Sequence, residues 1–222
     1  VNKILVAKGQ RQGSIREIVA LAKKQGIVIQ EVERSVLDKL SDGTNHQGVL
    51  AQLAGVKYQD LDELIKKPRN PEWAPFLILL DGIQDPHNLG SIIRSGEAMG
   101  ADGVVIPKRR AVGVTSTVMK SSAGAANHLP ICRVPNLASS IDLLKSEGYW
   151  IVGADMAGEA CFSQDLTGPI ALVIGSEGSG LSRLIREKCD FLSSIPMRGQ
   201  INSLNASVAA SLLMFEVVRQ RS

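Results

Sequence analysis

Residues 171–181 read ALVIGSEGSGL, an apolar run that stops at Gly175 and passes Gly178 and Gly180 before a helical pattern opens at Leu181. An uninterrupted apolar run of this length fits a strand buried on both faces, the arrangement found in parallel sheets covered by helices. Glycine at the end of such a strand lets backbone approach a ligand closely. The order GxxGxG is not the dinucleotide fingerprint GxGxxG, and no lysine follows as a phosphate loop requires. Glu177 is the odd member of the loop. A carboxylate there repels a phosphate but can pair with an arginine or a cationic ligand, while its structural alternative is a charge at a helix N-terminus.

Outward from this loop the same grammar repeats. Apolar strands are expected at 76–80, 103–106, 150–153, 170–174 and 191–195, with helices at 89–99, 137–147, 181–188 and 204–219 between them. Strands alternating with helices imply an α/β domain with a mainly parallel sheet and flanking helices, which binds ligands at the carboxyl ends of its strands. Upstream, KKPRNPEWAP at 66–75 holds three prolines and cannot continue a helix. It is expected to divide a domain at 76–222 from a small α/β domain at 1–67, with 68–75 as linker. In that small domain, strands are expected at 4–7, 27–32 and 49–53. A helix is expected at 14–25, with Ser14 and Glu17 as a capping box and Ile15, Ile18, Val19 and Ala22 on one face.

Composition narrows the function. The 222 residues are 44% hydrophobic and 21% charged, enough for a sizeable core without disorder. Cys132, Cys161 and Cys189 lie far apart and the three histidines are scattered, so neither a disulfide framework nor a metal site is signalled. A reducing, cytoplasmic setting is the expectation. No apolar run reaches membrane-spanning length and no signal-peptide pattern is read, so no membrane partner is expected. The chain opens at Val1 without a methionine, and a truncated start is expected. The excess of positive charge falls upstream, with 11 Lys/Arg against 8 Asp/Glu in 1–67 and 13 against 13 in 76–222. That asymmetry suits a module that grips RNA joined to a neutral catalytic one, although three charges also arise by chance.

Two further motifs flank the glycine loop in sequence. LDGIQDPHNLGSIIRSGEAMG at 80–100 follows a strand and turns at Asp85 and Pro86, with a helix expected from Asn88. Arg94 follows on the same helix. By themselves, Asn88 reads as a cap and Arg94 as a solvated charge. IPMRGQINSLNASVAA at 195–210 gathers Ser203, Asn205 and Ser207 at the start of a long apolar helix, where a structural cap needs only one of them.

These three motifs, taken in order, resemble the SpoU/TrmH branch of the SPOUT methyltransferases: NLGSIIRSGEAMG, GSEGSGLS and IPMRGQINSLNASVA, over roughly 76–222. Residues 1–67 more loosely resemble the L30-like substrate-binding domain of the branch that methylates guanosine in 23S ribosomal RNA, around Asn45-His46-Gln47-Gly48. The resemblance implies a trefoil-knotted SPOUT α/β fold, a homodimer with its active site near the interface, and S-adenosyl-L-methionine as cofactor. It implies that Gly175, Ile195, Met197 and Leu204 line the cofactor pocket. It places Asn88, Arg94, Glu177, Ser203 and Asn205 in the reaction centre, with Glu177 orienting Arg94. The implied activity is 2'-O-ribose methylation of RNA. Lys108, Arg109 and Arg110 read equally as basic residues that help to capture it and as a solvated turn after a strand. A transfer-RNA 2'-O-methyltransferase and a non-catalytic RNA-binding relative are the alternatives. A dinucleotide-dependent oxidoreductase is disfavoured by the glycine order.

Overall fold

The computed structural model describes residues 3–10, 13–41, 45–52, 56–69, 71–200 and 203–222. The chain forms two compact units, Val1–Gly55 and Val56–Ser222.

The first unit is a three-stranded sheet in the order β2-β1-β3. β1 (Lys3–Ala7) and β2 (Val28–Val32) are parallel and joined by helix α1 (Ser14–Lys24), while β3 (Val49–Gln52) runs antiparallel to β1. β1 is central, and alternation sends its side chains to two small cores. Ile4 and Val6 meet Ile15 and Ala22 of α1, whereas Leu5 and Ala7 meet Leu37 of α2 (Arg34–Leu40). The expected strand at 49–53 is found through Gln52, and its last residue lies outside the described ones. The expected capping box does not form. Ser14 is already helical, Gly13 is the N-cap, and no side chain bonds the exposed N–H groups. In the Asn45–Gly48 turn, His46 bonds Asp38 through Nε2 at 2.9 Å and accepts the Gly48 N–H at Nδ1 at 3.0 Å.

The second unit carries a six-stranded, all-parallel sheet in the order β6-β5-β4-β8-β7-β9. Its strands are β4 (Phe76–Asp81), β5 (Gly103–Pro107), β6 (Ile131–Val134), β7 (Trp150–Ala160), β8 (Ile170–Gly175) and β9 (Phe191–Ser194). In β4, Ile78 and Leu80 pack on one face, toward α4 (Pro86–Ala98) and α8 (Ala206–Arg221), while Leu77 and Leu79 pack on the other, toward α6 (Leu137–Ser146) and α7 (Arg183–Lys188). Helices on both faces explain why strands in this unit read as unbroken apolar runs. The chain builds outward from β4 through β5 to β6, and the rest lies on the other side of β4. The boundary between β4 and β8 is therefore the topological switch point, where open α/β sheets bind ligands.

The stretch 68–75 lies within the second unit, and so does the segment before it. Leu61 and Leu64 of α3 (Leu61–Lys66) are buried in the core beneath β4 and β5. Buried Asp102 fixes the proline-rich chain by accepting the Arg69 N–H at 2.6 Å and the Phe76 N–H at 2.7 Å. Among the elements beyond expectation, β6, interrupted by Arg133, and α5 (Ser116–Ser121) have no apolar run to announce them. β7 continues to Ala160 through a bulge between Ala154 and Glu159, both of which pair with Ser193 of β9.

Candidate active site

The glycine loop leaves β8 at the switch point and folds back on itself. Ser176 and Gly180 exchange both backbone hydrogen bonds, at 3.0 and 2.9 Å, and Gly178 and Gly180 hold φ of 83° and 65°. Only glycine takes these angles without strain. A β-carbon on Gly175 would overlap the backbone of Gly180 and Leu181, so this position too admits nothing larger. The loop is anchored from β4, where Asp81 Oδ2 accepts the Ser182 N–H at 2.7 Å.

On each side of the loop lies a cavity. The first, of about 430 Å³, opens over the carboxyl ends of β7, β8 and β9. Gly175, Ile195, Met197 and Leu204 line it, together with Glu177 and Ser203. Three residues with no signal in the sequence line it as well: Asp155 and Met156, which lie within the β7 bulge, and Ser193 of β9. The Ser193 Oγ is buried with no hydrogen-bond partner among the described residues, an orphaned donor at the wall of the cavity. Burial alone would raise the Asp155 carboxyl, but the Arg186 guanidinium at 2.8 Å and the Ala157 N–H outweigh it and hold the carboxyl below its ordinary range.

The second cavity, of about 780 Å³, spans the ends of β4, β5 and β6 and is lined by Asn88, Arg109, Arg110 and Asn136. Glu177 lines both cavities.

Asn205 joins the three motifs. It is the N-cap of α8, with Oδ1 accepting the Ser207 and Val208 N–H groups at 3.0 and 3.3 Å. Its Nδ2 is left to donate to Asn88 Oδ1 at 3.0 Å and to Glu177 Oε1 at 2.5 Å. One amide thus fixes the helix start, the α4 asparagine and the loop carboxylate together. Asn88 is not the cap of α4. That helix starts two residues earlier, with Pro86 at its first position and Asp85 Oδ1 accepting the His87 N–H at 3.0 Å, which frees the buried Asn88 for the site.

Arg94 stands apart. It is exposed on α4, lines neither cavity, and forms no hydrogen bond or ion pair with any described residue. The expected pairing of Glu177 with Arg94 is not made within the chain, because the Asn205 amide takes the Glu177 carboxylate instead. Among the described residues, no group of three or more His, Cys, Asp or Glu side chains could hold a metal ion.

Residues 75–215 match the model of the SpoU rRNA Methylase family. The chain belongs to this family. Residues 1–59 match a second model, described as RNA 2'-O ribose methyltransferase substrate binding, so the small SpoU N-terminal unit has its own counterpart. A Bacillus subtilis (strain 168) protein named as a TrmH family tRNA/rRNA methyltransferase, YacO, is 51% identical over 221 residues, which is 99% of this chain and 88% of that protein. A Staphylococcus haemolyticus (strain JCSC1435) protein named to the same family is 50% identical over 223 residues, covering 100% of this chain and 89% of its own. Among solved structures, the SpoU methyltransferase AviRb from Streptomyces viridochromogenes, in complex with the cofactor AdoMet, superposes with a TM-score of 0.77 at 31% identity, over 100% of this chain and 83% of that one. A structure titled RNA 2'-O ribose methyltransferase superposes with a TM-score of 0.72 at 28% identity, over 100% and 81% of the two chains. As a SpoU-family member the chain is an RNA methyltransferase with an N-terminal substrate-binding domain. In this chain the glycine loop, Asn88 and Asn205 meet, so the three sequence motifs converge.

Proposed function

We propose that this chain transfers the methyl group of S-adenosylmethionine to a ribose 2'-oxygen of RNA, with a guanosine of 23S ribosomal RNA as acceptor, and that it works as a cytoplasmic homodimer. The observation that carries the reading is the Asn205 amide, which ties Asn88 and Glu177 together on the wall between two cavities. A transfer reaction needs two binding places separated by little more than the reacting atoms.

The smaller cavity suits the donor. Its volume falls in the range of small-ligand sites, its wall is partly apolar at Ile195, Met197 and Leu204, and the Ser193 hydroxyl waits for a partner. Gly175 lets the backbone of Gly180 and Leu181 close against it, which fixes this wall of the cavity. When bound, S-adenosylmethionine supplies an electrophilic methyl on a sulfonium. The ribose oxygen forms the new O–C bond as the S–C bond breaks, and its proton must leave. Asn88 and Asn205 position the sugar, and Ser203 meets the donor or the sugar. Arg94 stays protonated, since a guanidinium is a poor base, so it serves by gripping phosphate and stabilising the developing alkoxide while the proton leaves to phosphate or water.

The homodimer is supported by α8, which is apolar on both sides. Leu213, Met214 and Val217 are buried in the core, yet Val208, Leu212 and Phe215 on the opposite side are 47%, 45% and 53% exposed. A helix apolar all round belongs inside an assembly. α4 packs beside α8 with Ser95 and Ser211 hydrogen-bonded at 2.8 Å, and its exposed strip, Arg94 included, looks out from the same helix layer. Pairing there puts Arg94 at the interface, where it takes part in the reaction. The match of the N-terminal unit to a substrate-binding model supports a two-module grip on RNA. A transfer-RNA acceptor is the second reading, favoured by relatives whose names give both RNAs.

Incubation with labelled S-adenosylmethionine and unmodified ribosomal and transfer RNA transcripts, followed by nucleoside mapping, tests the reading. One 2'-O-methylguanosine in the ribosomal transcript is expected. Label on a base, or on no RNA, overturns it.

A further inference from the structure

The larger cavity lies across the glycine loop from the one proposed for the donor, and it carries hydrogen-bond donors and charge that the fold does not use. Arg109 and Arg110, on the turn after β5, form no ion pair or hydrogen bond with a described residue. Asn88 is only 5% exposed and spends its Oδ1 on Asn205, but its Nδ2 bonds no described residue and the residue lines the cavity. Asn136 repeats the pattern. Its Oδ1 caps α6 by accepting the Ala138 and Ser139 N–H groups at 2.9 and 3.3 Å, which leaves its Nδ2 unused at the cavity wall. The two carboxylates on the β4 side, Asp81 and Asp85, are already engaged with backbone N–H groups. Both amide donors, the one on exposed Asn136 and the one on Asn88, are therefore open to a ligand in the groove. Cationic groups on one wall and amide donors on the others ask for a ligand with a phosphate at one end and acceptor atoms at the other.

We propose that this groove is the subsite for the acceptor nucleotide, with Arg109 and Arg110 holding its phosphate, Asn136 meeting the acceptor edge of its base, and Asn88 facing its ribose. The inference rests on the reading of the chain as an RNA 2'-O-methyltransferase and gives that reaction a second substrate pocket. Glu177 lines both cavities, so a ribose in this groove lies against the wall beyond which the donor sits. The sequence is poor in aromatics, which leaves charge and hydrogen bonding, rather than stacking, to hold the nucleotide.

The test uses the full chain and unmodified ribosomal RNA transcript. Arg110 holds a left-handed φ of 58°, which asparagine tolerates, so the double variant Arg109→Gln/Arg110→Asn keeps the turn. Removing two phosphate contacts is expected to raise KM for RNA by roughly 10-fold and to lower the salt slope of RNA binding by about 1.4. Donor affinity by calorimetry and thermal midpoint should match the parent. Asn136→Asp keeps the capping oxygen and replaces the donor with an acceptor. It is expected to shift the share of label among the four 2'-O-methyl nucleosides. Unchanged KM and salt slope in the double variant overturn the phosphate assignment, and an unchanged nucleoside distribution in Asn136→Asp overturns the base assignment. Parent protein that methylates no RNA 2'-hydroxyl sinks the underlying reading instead, so the two failures are distinguishable.

Discussion

The two halves of the sheet's carboxyl edge differ in kind. On the β8-β7-β9 side a tight glycine loop and the apolar side chains of Ile195, Met197 and Leu204 shape the cavity together with Asp155, Glu177, Ser193 and Ser203, and at Gly175 no β-carbon fits. On the β4-β5-β6 side it is shaped by side chains whose polar ends are spare, among them Arg109, Arg110 and the amides of Asn88 and Asn136. A pocket made of backbone recognises one fixed molecule and tolerates little change. A pocket made of long polar side chains can meet a polymer whose neighbours vary. The loop 175–181 is the partition, and Asn205 is the bolt that holds it to both helices.

The largest expected break is therefore on the backbone side. Gly175→Ala forces the loop away from Gly180 and Leu181, and donor affinity measured by calorimetry should fall roughly 100-fold, a cost of about 2.8 kcal/mol. Next comes the bolt. Asn205→Ala removes the α8 cap and both side-chain ties, so stability should drop by about 1 kcal/mol in urea titration, while turnover drops on the order of 100-fold. A loss of stability with full turnover would reduce Asn205 to an ordinary cap.

How much of this was readable follows from which interactions are local. β4 and β8 are legible because burial on both faces writes an apolar run directly into the chain, and the glycine loop is legible because its φ angles admit no other residue. The cavity residues Gly175, Ile195, Met197 and Leu204 come from the resemblance, and the fold brings them to one place. Asp155, Met156 and Ser193 are not legible, since their place at the cavity depends on a bulge between β7 and an edge strand that the sequence ADMAGEA at 154–160 does not announce. The Asp85-Pro86 start of α4 has a local signal, proline at the first helical position, which argues for Asp85 rather than Asn88 as the cap. The position of Arg94 outside both cavities has none, because it depends on which face of α4 is left exposed in the fold.

A smaller effect on the chain itself is expected at that layer. Leu212→Glu/Phe215→Glu should halve the mass seen by light scattering and leave the thermal midpoint of the chain nearly unchanged, since both side chains are about half exposed. A fall in turnover alongside would place Arg94 chemistry at the pairing face. The smallest effect belongs to the thiols. Burial pushes Cys132 up to about 12 and Cys189 up to about 11, and raises Cys161 as well. Thiolate is thus scarce below those values, and iodoacetamide at pH 8 should modify none of the three in the folded protein and leave methyl transfer unchanged.

Amide hydrogen exchange with saturating S-adenosylmethionine tests the division of the edge most directly. The account predicts slowed exchange at 175–181, 193–197 and 203–206, with 107–110 and 135–139 unchanged until RNA is added. Protection of 107–110 and 135–139 by the donor alone, or protection of neither half, would contradict it.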